Sequence, residues 1–501
     1  VMGSEGYLIN QFISKRTNKR ADEWGGSFEN RIKFPVEIVR QIREACGENF
    51  ILIYRLSMID LIEEGSTREE VILLGKEIEK AGANIINTGI GWHEARVPTI
   101  ATMVPKGGFA WVTESIRKEL NIPLVTTNRI NDPSTAEAIL AAGQADMISM
   151  ARPFLADAEI VKKAQENRSD EINICIACNQ ACLDHVFKRE RATCLVNPRA
   201  CYETELNSEP ISTLKNIAVV GGGMAGMSFA KEALKRGHKV DIYEKDSEVG
   251  GQFKLAAKIP GKDDFKDSIA YFKRMLDKYD VKWHMNQEVD LDTLKQYDEV
   301  IIASGVIPRK ILIPGIDNEK VISYPDLLSG KRKAGNRVAI IGAGGIAYDV
   351  AEFLTHSSPS DEEELFIETW GIDKTLETPG GLLEKGSRKI KSDREVYMLK
   401  RSLGKFGKSL GKTTGWIHRM MLKKANVNMI QGVEYDKIDD EGLHISAKGK
   451  EHCIKVDSII ICAGQVSNKS LYENCVEAGI KTSIIGGARE AGELDAKAAI
   501  R

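Results

Sequence analysis

Four of the nine cysteines in this 501-residue chain fall within twenty residues. They are Cys175, Cys178, Cys182 and Cys194, with gaps of two, three and eleven residues. Four thiolates can hold zinc or an iron–sulfur cluster. Zinc sites usually show paired short knuckles on both sides. Here three cysteines share one loop and the fourth arrives later, which is more like a four-thiolate 4Fe-4S site. Thiolate ligands in place of disulfides imply a reducing compartment, so a cytoplasmic location is expected. His185 lies inside the segment and reads as a neighbour of the site, because four cysteines already complete the set. Cys46, Cys201, Cys453, Cys462 and Cys475 are scattered and read as buried small apolar residues.

The formal net charge is −2, with acids and bases interspersed. That balance argues against a nucleic-acid or membrane-surface partner. No apolar run reaches the length of about 18 residues that a membrane span needs, and no signal peptide precedes the first segment. An apolar content of 42% over 501 residues suits about three packed domains. The chain opens on Val1 and closes on Arg501 inside a helix-like pattern, so both ends are expected to be cut.

Before the cysteines, short apolar runs alternate with amphipathic stretches. Strands are expected over 51–55, 84–88, 123–127 and 146–150, and helices over 35–45, 67–81 and 134–142. Alternation at this spacing means parallel βα units with both sheet faces covered. Functional side chains in a βα barrel gather at the C-terminal ends of strands, and a phosphate often sits after the last two. Tyr7, Arg55, His93, Arg129 and the pair Ala151-Arg152 all stand at such ends.

After the cysteines, 217–220 is an apolar strand followed by Gly221-Gly222-Gly223-Met224-Ala225-Gly226. A second strand at 239–243 ends on Glu244. Glycines at Gly221, Gly223 and Gly226, with Ala225 among them, let the backbone approach a pyrophosphate at a helix N-terminus, and the acid binds ribose hydroxyls. Glu244 would repel a 2′-phosphate, so this site suits FAD. A second fingerprint runs from Val338 to Ala347, with Gly342, Gly344 and Ala347 at the three key positions. No strand-plus-acid follows at the expected place. The stretch 354–373 reads instead as an acidic, irregular insertion. This second site therefore suits a nicotinamide dinucleotide with NADP allowed, and Lys412 and Arg419 could supply charge for its 2′-phosphate. The strands 299–303 and 458–462 are where the chain would cross between the two nucleotide domains.

The strings Met2-Gly3-Ser4-Glu5-Gly6-Tyr7 and Asp22-Glu23-Trp24-Gly25-Gly26-Ser27-Phe28-Glu29-Asn30-Arg31 resemble the old yellow enzyme family of FMN barrels. Many members bind the substrate carbonyl with a His and an Asn or second His just before the tyrosine. This chain has Met2 and Glu5 there. With His93 in Gly91-Trp92-His93-Glu94-Ala95-Arg96, the whole length is similar to the bacterial NADPH-dependent 2,4-dienoyl-CoA reductases. The nested second half resembles the pyridine-nucleotide disulfide reductase architecture, but has no C-x-x-x-x-C pair beside its FAD fingerprint.

The resemblance implies an α/β chain: the C-terminal part of a (β/α)8 FMN barrel, an iron–sulfur segment, and two nested Rossmann-like domains. Expected boundaries are 1–170 for the FMN and substrate domain and 171–214 for the cluster segment. The FAD domain is expected over 215–333 and 433–501, around a nicotinamide domain at 334–432. The implied role is passage of electrons from NADPH through FAD, the 4Fe-4S cluster and FMN to a conjugated acyl-CoA thioester in fatty acid metabolism. Tyr7 and His93 would be catalytic, and Arg55, Arg129, Ala151 and Arg152 would hold FMN. Gln252 and Val289 would join the FAD contacts, as would the closing pieces 485–488 and 493–496. Arg16, Glu94, Ala95 and Arg96 would meet the acyl-CoA alongside His93. The full-length parent is expected to be a monomer. Enoate or bile-acid dienoyl-CoA reduction, or electron transfer by the nucleotide half alone, are the competing expectations.

Overall fold

The computed structural model describes residues 1–356, 361–383, 388–492 and 495–501, which form two compact bodies. The first comprises Val1–Ala151 and Ser358–Lys389; the second comprises Arg152–Ser357 and Ile390–Arg501.

In the first body five parallel strands lie side by side in chain order. They are Met2–Gly3, Ile53–Ile59, Ile85–Ile90, Leu124–Thr126 and Met147–Ile148. Helices Phe28–Cys46, Arg68–Lys80, Ala110–Arg117 and Pro133–Ala141 fall between them. Local chemistry sets their starts. Thr67 and Glu70 form a reciprocal capping box, and Asp132 caps a helix that begins with Pro133. The helix expected from residue 35 begins at Phe28, capped by Ser27, and carries Pro35 inside it. Arg31 on its first turns is buried and pairs with Glu70 at 2.8 Å. Tyr54, Leu56, Ile86, Phe109 and Leu124 are fully buried in this body.

The stretch expected to be an irregular insertion is ordered in its described part (357–360 and 384–387 lie outside the described residues). Asp361 caps helix Glu362–Trp370. The acids Glu362, Glu363 and Glu364 occupy its first turn, where the helix dipole favours negative charge. Phe366 then packs edge-on against Phe109 at 6.0 Å. Gly380 accepts from Leu61 N at 2.8 Å and donates to Ser66 O at 2.9 Å. The acidic composition that hid this helix is what starts it.

The second body contains two five-stranded parallel sheets. One has the order Thr482–Ile484, Glu299–Ile302, Asn216–Val220, Lys239–Glu244, Lys282–Met285. The other has the order Val321–Ser323, Ser458–Ile461, Arg337–Ile341, Glu395–Lys400, Asn428–Gln431. A short antiparallel pair, Val306–Pro308 with Gln465–Ser467, ties the two crossings together. An antiparallel sheet of Val433–Asp439, Gly442–Ala447 and Lys450–Ile454 shares a buried core with the second parallel sheet.

This ladder moves both expected boundaries. Val321 pairs with Ile459, so 321–323 and 458–461 belong to the nicotinamide sheet and not to the FAD domain. The chain rejoins the FAD sheet at Thr482–Ile484. No described helix is long and apolar enough to cross a membrane.

The docked insertion hangs on a position that tolerates no side chain. Gly380 has φ +77°, and a Cβ there would lie 2.0 Å from Ile62 O. Gly380→Ala is expected to destabilise the first body by roughly 2 kcal/mol or more. Urea unfolding would read this, together with faster proteolysis within 361–383. An unchanged midpoint would show that the docking contributes little.

Candidate functional site

Tyr7 stands at the N-cap of helix Leu8–Ile13, just after the first strand, and is half exposed. His93 follows the third strand. Its Nε2 lies 2.8 Å from Tyr7 Oη, with the rings edge to face at 5.0 Å. The loop that carries His93 is anchored by buried Trp92. The indole Nε1 donates to Asp60 Oδ1 at 2.9 Å, and Asp60 Oδ2 accepts from Ser66 N at 2.7 Å. His93 N also donates to Glu5 O at 3.4 Å. The sequence pointed to both side chains of this pair but missed Trp92 and Asp60, which brace it. Trp92 sits inside a quoted motif, whereas nothing marks Asp60 in sequence.

Arg55 is held from two sides. Nε and Nη2 donate to Glu5 Oε1 at 2.8 and 2.7 Å, and Nη1 donates to Asn87 Oδ1 at 2.9 Å. Glu5 is therefore a buried-side partner of Arg55, a role its place among substrate-binding positions did not suggest. Arg129 is buried and follows Asn128; both have positive φ, +74° and +56°. Two successive non-glycine residues in that region store strain of the kind found where backbone is shaped around a ligand. Arg129 Nε donates to Val104 O at 2.8 Å.

Ala151 closes the first body and is exposed. Arg152 opens the second, and its Nη1 donates to Asn179 Oδ1 at 2.6 Å. Its charge also acts on Cys182. One of its contacts is thus with the cysteine loop. Of the expected acyl-CoA residues, Glu94 and Arg96 are exposed beside His93, while Ala95 is buried. Arg16 reaches Glu63 O at 3.4 Å.

The cysteine segment has its own core. Cys175, Ile176, Ala181, Cys194, Leu195 and Val196 pack with Ala257, Phe265 and Ala496, and against Phe253 and Ala256 of the helix Gln252–Ala256. Burial and then the neighbouring Cys194, Cys175 and Cys182 push the Cys178 thiol well up; burial and then Cys175 push Cys194 to about 12. The four thiols are close enough to repel as thiolates. Yet among the described residues no three of them come within 4.8 Å of one another, as Glu441, His444 and Cys453 do. Tetrahedral zinc with Zn–S of about 2.3 Å needs sulfurs roughly 3.8 Å apart. The donor set fits a larger centre better than a single zinc ion. His185 engages Arg191 O through Nδ1 at 2.9 Å and Lys497 through Nε2 at 3.1 Å. Both ring nitrogens are occupied away from the thiols.

Both fingerprints are built for close approach by a ligand. A Cβ on Gly221 would meet Ala303 O at 2.4 Å, and one on Gly342 would meet Cys462 O at 2.2 Å. The middle glycines, Gly223 and Gly344, face open space with nothing within 4 Å of a Cβ. Ala225 meets the turn at Gly486, and Gly226 and Ala347 are buried on their helices. Val289 packs with Ala218 and Tyr243, and Gln252 Oε1 accepts from Tyr324 Oη at 3.1 Å. Of the expected closing FAD contact, Glu493 and Leu494 lie outside the described residues, while Asp495 caps helix Ala496–Ile500.

The two sheets then carry opposite charge at one position. In the first, Val220 pairs with Tyr243, Gly221 N donates to Tyr243 O, and Glu244 comes next. Its Oε2 accepts from Gly222 N at 2.8 Å. In the second, Ile341 pairs with Leu399, Gly342 N donates to Leu399 O, and Lys400 comes next. Lys400, Arg401 and the turn Gly342–Gly345 line one cavity of about 1360 Å³. Lys405, Lys408, Ser402 and Ser409 line a recess continuing past Gly344. Lys412 and Arg419, expected at this phosphate, instead donate to Phe187 O and Gly407 O, both at 3.1 Å. The insertion displaces the second strand of this unit to Glu395–Lys400, which is why its basic end was missed.

Residues 1–171 match the NADH:flavin oxidoreductase / NADH oxidase family, and residues 215–490 match the pyridine nucleotide-disulphide oxidoreductases. The chain is 36% identical to a metal reductase of Desulforamulus reducens, over 97% of this chain and 73% of that protein. It is 29% identical to a cinnamate reductase of Clostridium sporogenes, over 93% and 68% of the two chains. A solved 2-naphthoyl-CoA reductase in complex with 2-naphthoyl-CoA superposes with a TM-score of 0.89 at 32% identity. That match covers all of this chain and 71% of the other.

Raised thiols bind protons more tightly in the folded chain than in the unfolded one. Without metal, the resulting stabilisation is complete below the ordinary thiol value of 9.0 and is lost as pH rises toward about 12. Metal-free protein is expected to lose stability from pH 9 upward, read by chemical denaturation across pH. Quadruple replacement of Cys175, Cys178, Cys182 and Cys194 by Ser should flatten that slope; an equally steep slope would refute the assignment.

Proposed function

The chain belongs to the NADH:flavin oxidoreductase / NADH oxidase family and carries a pyridine nucleotide-disulphide oxidoreductase module in the same polypeptide, and we propose that it reduces a carbon–carbon double bond conjugated to a carboxyl-level carbonyl. The observation that carries this reading is the Tyr7–His93 pair at adjoining strand ends, 2.8 Å apart. Saturating such a bond needs a hydride at one carbon and a proton at another. Bound FMN supplies the hydride chemistry. Tyr7 Oη is the proton donor, and His93 Nε2 holds that hydroxyl in place and returns a proton to it. Arg55, fixed by Glu5 and Asn87, and Arg129 are the residues that would hold FMN.

Electrons enter at the other end. The cavity at Gly342–Gly345 takes a reduced nicotinamide dinucleotide, and the Gly221–Gly226 turn with Glu244 takes FAD. Cys175, Cys178, Cys182 and Cys194 would hold a 4Fe-4S cluster, which supplies single-electron transfer. Its segment shares a core with the helix that begins at Gln252, which favours exchange with FAD. A hydride acceptor must sit about 3–3.5 Å from its donor; a one-electron centre relaxes that demand.

Within this class we favour 2,4-dienoyl-CoA reduced to an enoyl-CoA. The metal reductase, cinnamate reductase and 2-naphthoyl-CoA reductase among its relatives mark the neighbouring alternatives. Anaerobic turnover of 2,4-dienoyl-CoA, cinnamate and 2-naphthoyl-CoA by the metal- and flavin-loaded chain separates them. Dienoyl-CoA should be fastest, and Tyr7→Phe should lower its turnover about 10²–10⁴-fold. No turnover of any CoA ester would sink the substrate choice. An equal loss of dye reduction in Tyr7→Phe would sink the proton-donor role.

The dinucleotide is NADPH on this reading. Lys400 stands where Glu244 excludes a 2′-phosphate, and Arg401, Ser402, Lys405 and Lys408 add donors around it. A charged hydrogen bond contributes about 1.5–3 kcal/mol, so Arg401→Gln should cut the preference for 2′,5′-ADP over 5′-AMP at least about tenfold by calorimetry. Equal affinities in the parent chain would reject NADPH while leaving a dinucleotide site. Binding of neither would reject the site itself.

A further inference from the structure

The three-stranded antiparallel sheet of the second body carries donors that the nucleotide chemistry does not use. Asp439 ends its first strand, Glu441 lies in the turn, and His444 stands on the return strand. Cys453 on the third strand pairs directly with His444. Among the scattered cysteines, Cys462 and Cys475 are buried as expected, whereas Cys46, Cys201 and Cys453 are exposed. Only Cys453 of these three exposed thiols stands within such a donor group.

The spacing is that of a coordination shell. Cys453 Sγ, one ring nitrogen of His444 and a Glu441 carboxylate oxygen all lie within 4.8 Å of one another. His444 Nε2 is 3.7 Å from Cys453 Sγ and 2.9 Å from Asp439 Oδ1. Tetrahedral zinc, with sulfur at about 2.3 Å and nitrogen or oxygen at about 2.0–2.2 Å, separates its ligands by roughly 3.3–3.6 Å. The Cys453–His444 and His444–Asp439 distances bracket that range. The scaffold is stiff. Ile438, Leu443, Ile445 and Ile454 are buried beneath these strands, and alternation along the strand turns His444 outward between Leu443 and Ile445. Asp439 keeps Lys437 on its other oxygen at 2.8 Å and also accepts from Glu441 N at 3.0 Å.

We propose that Cys453, His444 and Glu441, completed by Asp439, bind one thiophilic divalent cation of the zinc class. One thiolate, one imidazole and two carboxylates suit zinc among the common divalent ions. Binding releases the thiol proton, and the neutral imidazole coordinates through Nε2 with its ring proton carried on Nδ1; no electron is transferred. The ion would staple the turn to the third strand.

The test is cadmium-113 NMR on the full chain, with its four-cysteine segment intact. A site with one sulfur resonates apart from a site with four. The parent chain should show one single-sulfur resonance in addition to any four-sulfur signal. Cys453→Ser should abolish it, and His444→Ala should weaken binding at least about tenfold. Cys201→Ser, which removes another exposed thiol, should leave it in place. Zinc analysis after dialysis should fall by one equivalent in Cys453→Ser. Absence of the resonance, its survival in Cys453→Ser, or its equal loss in Cys201→Ser would overturn the site. Both serine variants replace exposed thiols isosterically, so unchanged unfolding midpoints separate lost binding from misfolding.

Discussion

The apolar packing between the cysteine segment and the helix Gln252–Ala256 is the interaction that seats the four thiols. A segment with little regular structure has few backbone ladders to hold it. Helix Leu183–Lys188 and one short helical turn are nearly all it has between Arg168 and the first strand of the nucleotide half. Its rigidity comes instead from burying Ile176, Ala181, Leu195 and Val196 against Ala257, Phe265 and Ala496. A second tie is polar: Asp184 accepts from Thr413 N and Thr413 Oγ1 at 2.8 and 2.6 Å. The segment is thereby clamped between elements that lead to both dinucleotide turns.

The two nucleotide units show how one backbone plan is given two chemistries. Strand, turn and helix are superposable in register, down to the hydrogen bond from the first glycine to the neighbouring strand. One residue later they part. A carboxylate that accepts from its own turn leaves no room for a phosphate, while an ammonium at the same step cannot fill that acceptor role and turns to Gly404 O and Lys405 O. The two units therefore differ in charge at the strand ending, while both turns keep glycine at the first and middle key positions, Gly221 and Gly223 in one and Gly342 and Gly344 in the other.

Most of the architecture was legible because it rests on periodicity. Parallel βα units, both glycine turns and the two crossing strands follow from short-range patterns. What escaped depended on long-range pairing. Strand Val321–Ser323 is assigned to its sheet only by its register with Ile459, which no local pattern reveals. Lys400 escaped because an insertion separates it from its turn, although the strand ending is itself an ordinary one. Glu362–Trp370 was hidden by acids that mark a helix start as readily as a solvated loop. Tyr7 and His93 could be named from strand ends, but Asp60 and Asn87, which fix their surroundings, carry no signature outside the folded chain.

Glu5 joins Arg55 to His93, its carboxylate taking the guanidinium and its carbonyl accepting from His93 N. A carboxylate accepts hydrogen bonds and cannot donate them when ionised. Placed where related barrels use donors for a substrate carbonyl, it removes that polarising contact. Its oxygen is moreover taken by the Arg55 fork. Tyr7 Oη and His93 Nε2 are the polar groups left at the neighbouring strand ends. Under the proposed function, carbonyl recognition and proton delivery would both fall to this one hydrogen-bonded pair, which favours an extended conjugated system in which charge arriving at one end is met by a proton several atoms away. A simple enone offers its two reacting carbons and its carbonyl within a shorter span. The same Glu5 also offsets the charge of Arg55, which stands at its strand end as half of an ion pair and not as a bare cation.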